Sequence, residues 1–414
     1  MMAVRGSRPE ALAREVERLQ RNSAERTRGR EFPLAARWDS SGTEVSYLYR
    51  NHQVICDASD LPDVLEAFTQ IGADPPASIA DGPVGLKILD VGSRDADDLV
   101  GQLTEVVDED TVSLNHVLDT QNNVVMCPVT EPLPWEGPVP LLGEPYGPGR
   151  PRLAVIDTGY VPAVAESSGF SRFGAVHDDF EPDDEVYDAD GAIRPYGGHG
   201  TATTGRLLSV SGSDSVTVRV HDCLVGGAVD ELTIVEDLER VVAIGVDVIS
   251  LQAGMYTRAG TSPKAFTAFY RRVLRRHANT VIIAAAGNAG SDKPFWPAAY
   301  PWTTAVGALT TGGDARAGWS NVGHWVDVYA TGEHAILPFP NGRYEYLDGT
   351  SAELRTGHVL WSGTSFSAPV VAGMIARRMV ERGVDAPTAR DIVLDEAAVA
   401  GLPGVGPRVV FPRA

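Results

Sequence analysis

Three cysteines in 414 residues, Cys56, Cys127 and Cys223, are too few and too scattered for a disulfide framework or a metal cluster. They predict reduced thiols and a cytoplasmic protein. Basic charge is also scarce, because 35 Lys and Arg against 55 Asp and Glu leave −20 at pH 7. That balance excludes a chain-wide nucleic-acid surface. No apolar run approaches the roughly 18 residues that a membrane span needs. The first residues carry charge but no apolar stretch of the kind that marks a secretory signal. No solenoid-length repeat is present either. What remains is a globular composition, 43% hydrophobic and 22% charged, with 43 glycines that imply many tight turns. The length predicts two or three domains, or one large α/β unit with additions.

Charge and texture divide the chain into four parts. Residues 1–42 form an Arg-rich segment, with nine Arg and five acids before residue 38. Within it Leu12, Val16 and Leu19 recur at helical spacing, which predicts a short surface helix over Glu10–Arg21. Residues 43–130 alternate between strand patterns (EVSYLYR, HQVICDA, VGLKILDV, TVSLNHVL) and helix patterns (DLPDVLEAFTQIG, DADDLVGQLTEVV), with Asp60 placed as an N-cap. That order predicts a small α+β domain without a catalytic constellation. Residues 131–150 form a linker, since 131–151 holds seven Pro and four Gly. From 151 to 414, apolar strands such as RLAVID, DVISLQAG and TVIIAAAG alternate with long helix patterns. This predicts α/β architecture, a doubly wound, mostly parallel sheet with helices on both faces. In such sheets functional groups gather at the carboxyl ends of strands.

Four sites lie at such places. Asp157 ends a strand in Ile156-Asp157-Thr158-Gly159; alone it could be a simple turn, or half of an aspartic-protease pair whose second Asp-Thr-Gly is missing. His199 stands between glycines in Gly197-Gly198-His199-Gly200-Thr201, where a histidine taken alone is more often incidental than catalytic. Asn288 follows Ala284-Ala285-Ala286-Gly287 and could donate into an oxyanion site or merely form a turn. Ser365, in Ser362-Gly363-Thr364-Ser365-Phe366-Ser367-Ala368-Pro369, is predicted at the start of a helix running through Met379, as a nucleophile or as an N-cap. The second Gly-Thr-Ser, ending at Ser351, lacks the small-residue helix after it and reads as a decoy.

Taken together, Asp157, His199 and Ser365 fall in the chain order Asp, His, Ser, with Asn288 between the last two. Across residues 150–385 these motifs, with Trp296-Pro297-Ala298-Ala299-Tyr300-Pro301 and Trp319-Ser320-Asn321, resemble the subtilisin-like serine peptidases, and the Arg/Ala/Val-rich composition is similar to intracellular actinobacterial members. The resemblance implies a subtilisin-like fold and a serine endopeptidase acting on a peptide or protein substrate, with a particular precursor peptide within that range. It implies that Ser365 attacks, His199 is the base, Asp157 orients it, and Asn288 with the Ser365 N–H binds the oxyanion. It also implies that Ser250, Leu251, Gln252, Ala286, Gly287 and Phe295 line the substrate cleft.

Several positions depart from the family pattern. Ala202-Thr203-Thr204-Gly205 replaces a more apolar stretch after His199, which predicts a more polar and shorter helix. Gln252 stands where a glycine is usual, and Phe295 where a small residue opens the specificity pocket, so a shallower pocket is expected. The loop of the tight calcium site in secreted members is missing, and no cofactor is required. The acidic stretch His177–Gly191 could still hold structural calcium, dock basic substrate residues or be a solvated loop. By the same resemblance, residues 43–130 imply a propeptide-like domain that acts as an intramolecular inhibitor. The competing function class is a latent or non-catalytic peptide-binding relative.

Overall fold

The computed structural model describes residues 13–20, 33–119, 130–139, 151–168, 174–178, 186–188, 190–194, 196–212, 216–222, 227–346 and 348–411. The centre of the molecule is a seven-stranded sheet built from β7 (Arg152–Asp157), β8 (Gly174–Asp178), β9 (Val216–Asp222), β11 (Val248–Leu251), β12 (Val281–Ala285), β13 (Thr303–Leu309) and β14 (Val328–Thr331). Their order is β14-β13-β12-β11-β7-β9-β8, and every neighbouring pair is parallel. The central strands are buried end to end because both faces are covered. α5 (His199–Ser211), α8 (Ala368–Arg382) and α9 (Ala386–Val399) cover one face. α6 (Glu231–Ala243) and α7 (Lys264–Arg272) cover the other.

Residues 34–119 form an antiparallel sheet from β1 (Leu34–Trp38), β2 (Val45–Asp57), β3 (Ser78–Asp81), β4 (Leu86–Asp90) and β5 (Val112–Asp119). Along β2 the side chains alternate. Val54 and Cys56 pack under α2 (Leu61–Gln70) and α3 (Ala96–Leu103), and Ile55 faces α6 and α7. Cys56 is therefore a buried free thiol, pushed up to about 11 by burial, and inert. A sixth strand joins this sheet from the distant part of the chain: β10 (Ala228–Asp230) pairs antiparallel with the end of β5. Below that junction Glu231 is fully buried and accepts from the His116 and Ala265 amides at 3.1 and 2.9 Å.

Three expectations are corrected here. The two strands foreseen over EVSYLYR and HQVICDA are one strand, bent by an irregularity between Tyr49 and Val54, where His52 has φ 67°. Asp60 occupies the N-cap position of α2, but its backbone is helical and its side chain makes no capping bond. The N-terminal helix, α1 (13–20), is not a surface helix. Val16 and Leu19 pack against Leu34, Val45, Leu48 and Val117, and Glu15 is buried with them. Its polar residues Glu15 and Arg18 have buried partners.

Part of the Pro-rich linker is also built into the fold. β6 (Leu133–Pro134) adds a third strand to the hairpin of β15 (Ala335–Pro338) and β18 (His358–Trp361). A second hairpin, β16 (Gly342–Glu345) with β17 (Ser351–Leu354), is inserted between those two strands. Among the described residues no helix is long and apolar enough to cross a membrane.

Candidate active site

β7 delivers Asp157 to the carboxyl edge of the sheet, and α5 begins with His199 directly beside it. Only glycine serves at position 200, since a Cβ there would lie 1.9 Å from the Thr158 carbonyl oxygen. That close approach brings His199 Nδ1 to 2.6 Å from Asp157 Oδ1. Asp157 Oδ1 also accepts from the Thr158 amide at 2.7 Å, and its Oδ2 from the Thr203 hydroxyl at 2.9 Å. Asp157 and His199 are fully buried. With three donors on the carboxylate, the imidazole carries its proton on Nδ1 and leaves Nε2 as the basic nitrogen. Trp361 meets the imidazole edge-on at 5.3 Å between ring centres, and Phe366 tilts against it at 5.4 Å.

Ser365 lies in the 3-10 turn Thr364–Phe366, immediately before α8. The helix predicted to begin at the serine therefore starts at Ala368 and runs on to Arg382. Gly363 is extended, with φ 171°, so the entry needs no left-handed residue. The Ser365 hydroxyl is 3.5 Å from the Gln252 carbonyl oxygen. His199 Nε2 is buried and makes no hydrogen bond, so the base and the serine are not yet linked. Catalytic hydrogen bonds are often long or unmade until substrate tightens the site.

Asn288 follows β12 through Gly287, whose φ of 94° is in the region that favours glycine. Asn288 Oδ1 accepts from both the amide and the hydroxyl of Thr364, each at 2.8 Å. Those two bonds commit the oxygen and turn the amide donors of Asn288 away from Thr364. The helix start after Ser365 adds a favourable field for negative charge.

The structure sorts the remaining cleft residues. Gln252 follows directly on β11, and its Nε2 donates back to the Ser250 hydroxyl at 2.5 Å. Gln252 Oε1 is buried without a partner. Leu251 points to the face opposite Ser250 and packs in the core against α6 and α7, so its side chain does not line the cleft. Ala286 and Phe295 are buried together, and the Phe295 ring lies so close to Gly254 that a Cβ there would come within 2.2 Å of it. Ser351 opens β17 as an exposed residue away from this cluster, as expected of a decoy.

Two contributors escaped the sequence reading. Thr203 is one helical turn from His199, and that i, i+4 spacing was the available signal. The helix bearing them is not shortened, since it spans 13 residues, and its threonines face inward. The other contributor, Trp361, had no local signal at all. Most of the acidic stretch 177–191 lies outside the described residues; of its described part, Asp188 Oδ1 accepts from the Asp190 and Ala192 amides in a turn. Asp95, Asp97 and Asp98 come close enough to share an ion. Asp95, however, caps α3, and Asp97 binds Tyr47 and Arg258.

Thr203→Val leaves a buried carboxylate oxygen without its donor. Chemical denaturation should show a loss of about 1–3 kcal/mol, and Thr203→Ser should recover most of it. An unchanged midpoint for Thr203→Val would contradict the contact.

Comparison with known proteins places the chain in a family. The model of the subtilase family matches residues 150–404, more than half of the chain. The thermophilic serine proteinase of Bacillus sp. (strain AK1) is 29% identical over 240 residues, which cover 56% of this chain and 52% of that protein. The intracellular serine protease of Paenibacillus polymyxa is 25% identical over 265 residues, covering 59% and 71% respectively. The chain thus spans about half the length of the first of these relatives. Among solved structures, fervidolysin from Fervidobacterium pennivorans, a keratinolytic enzyme related to subtilisin, superposes with a TM-score of 0.58 at 14% identity, over 88% of this chain and 62% of that one. The chain belongs to the subtilase family.

Proposed function

We propose that this protein is a serine endopeptidase whose nucleophile is Ser365. The observation that carries the proposal is the buried 2.6 Å bond from His199 Nδ1 to Asp157, which leaves Nε2 as the only basic position of the ring. Ser365 Oγ attacks the scissile carbonyl while His199 Nε2 takes its proton. Asp157 stabilises the imidazolium, which then passes the proton to the leaving amine as the C–N bond breaks. The Asn288 amide and the Ser365 N–H bind the oxyanion, and losing one such donor costs about 3–4 kcal/mol of barrier, a magnitude the subtilisin family itself supplies. Water then releases the acyl group by the same route.

A filled pocket favours a narrow substrate range, as for a peptidase dedicated to one precursor. Phe295 takes up the space beside Gly254, and Tyr256 packs on it at 5.3 Å. On this reading the residue before the scissile bond is small.

The N-terminal region is read as a propeptide-like domain that inhibits the site. The end of β5 runs between β10 and the segment after β11: Asp119 pairs with Ala228 on one side and, in an isolated bridge, with Gly254 on the other, by bonds of 3.0 and 3.1 Å to the latter. An extended substrate would lie there in the same way. Beyond the nucleophile, Thr130 accepts from the Trp361 indole at 2.6 Å and from the Ser362 amide at 3.1 Å. Asp119 is therefore held at Gly254 and Thr130 at Trp361 and Ser362, three residues before Ser365. The lack of a hydrogen bond at His199 Nε2 favours a second reading for the intact chain, a latent form that awaits release of this segment. The buried free thiol of Cys56 fits a cytoplasmic setting.

Three outcomes test these roles in the full chain. Ser365→Ala should remove hydrolysis of a peptide ester to the residual level that binding alone supports, with Ser351→Ala close to wild type; the reverse pattern would assign the nucleophile elsewhere. Phe295→Gly should raise kcat/KM for large residues before the scissile bond about tenfold relative to alanine, and an unchanged ratio would remove Phe295 from the pocket. Asp119→Pro deletes the N–H that Gly254 accepts, so basal turnover should rise about three- to tenfold. Equal turnover in that variant would argue against inhibition through β5.

A further inference from the structure

We infer that α1 is a clip on the loop of the catalytic histidine, with Glu15 and Arg18 as positioning residues for His199. The inference rests on the peptidase reading of the site. Its centre is Tyr196, a fully buried residue three positions before His199, with φ of 68°. A non-glycine residue in that conformation is strained, and persists only where its surroundings hold it. The Tyr196 carbonyl accepts from the His199 amide at 2.8 Å and from the Thr158 hydroxyl at 3.0 Å. The Thr158 hydroxyl in turn accepts from the Gly200 amide at 2.9 Å. Movement of Tyr196 therefore displaces the His199 amide, the Thr158 that follows Asp157 and, through Thr158, Gly200.

What holds Tyr196 comes from the other end of the chain. Its hydroxyl donates to Glu15 Oε1 at 2.9 Å. The Arg18 guanidinium lies over its ring, 4.8 Å from the centre, and donates to both the phenol oxygen and Glu15 Oε1, the latter at 2.8 Å. Burial holds the phenol well above its ordinary value, so it remains a neutral donor to the carboxylate. Glu15 is 7% exposed. Desolvation makes such a buried pair weak evidence for stability, whereas its value in fixing one geometry is well attested. Here the geometry fixed is that of a strained tyrosine directly behind the base.

The N-terminal region then acts at two places, across the cleft through β5 and behind the base through α1. Release of the region would open the cleft and loosen the base at once, so the orienting effect is read on the intact chain. The readout is the low-field proton resonance of His199 Nδ1–H in water, assigned by its loss in His199→Ala, together with kcat and KM on a small peptide ester. Glu15→Ala should broaden or abolish the resonance and lower kcat about tenfold with KM within about twofold, since imperfect orientation of a base removes part of its contribution. Tyr196→Phe, which deletes only the hydroxyl, should behave alike. Glu15→Gln, which keeps an acceptor for the phenol, should restore most of both signals. Folded Glu15→Ala and Tyr196→Phe proteins with the wild-type resonance and kcat would overturn the inference. So would variants, Glu15→Gln included, whose losses follow only the unfolded fraction. The resonance needs no turnover. An inactive wild type would sink the peptidase reading and leave the test of the clip intact.

Discussion

The hydrogen bond between Asp157 and His199 organises most of the surrounding structure. Both groups are fully buried, and a carboxylate in that setting is tolerable only with its lone pairs occupied. The Thr158 amide, the Thr203 hydroxyl and the imidazole occupy them. To supply those donors, β7 must end at the sheet edge, α5 must begin with histidine, and Gly200 must lie against the Thr158 carbonyl. The aromatic wall of Trp361 and Phe366 then keeps water from competing for the same bond. Exclusion of water strengthens the interaction in the low local dielectric.

The N-terminal region is coupled to that arrangement through backbone pairing and through one buried cluster. β5 and β10 make a continuous sheet across the boundary between the two parts of the chain. Glu231 ties the junction by accepting from amides on both sides of it. The apolar face containing Ile55, Leu86 and Leu118 packs on the helices that also support β11, which carries Ser250. A displacement of the N-terminal sheet thus has a direct mechanical route to one wall of the cleft. Tyr196 offers a separate route to the base.

Much of this was legible in the sequence, for reasons that differ between elements. β7, β12 and β13 are buried on both faces and read as apolar runs, and the helices between them carry clear 3.6-residue periodicity. Asp157, His199, Asn288 and Ser365 stand at strand or helix ends within Gly-rich motifs, so their placement followed from local pattern. The contributions of Thr203, Trp361 and Glu15 depend on partners tens to hundreds of residues away, and no window of sequence contains both members. α1 was misplaced for the same reason, because its polar residues find partners only in the folded chain. The bend in β2 hid a single strand as two, since a residue in left-handed conformation interrupts the alternation.

We propose Ser365 as the one activated nucleophile, held in a shielded state in the intact chain. Labelling of the purified protein with a fluorophosphonate, followed by mass mapping of the adduct, tests this most directly. The adduct should fall on Ser365 alone. It should form slowly on the intact chain and rapidly once the chain has been cut between residues 119 and 130. Modification of another serine, or no modification of Ser365 after that cut, would contradict the account.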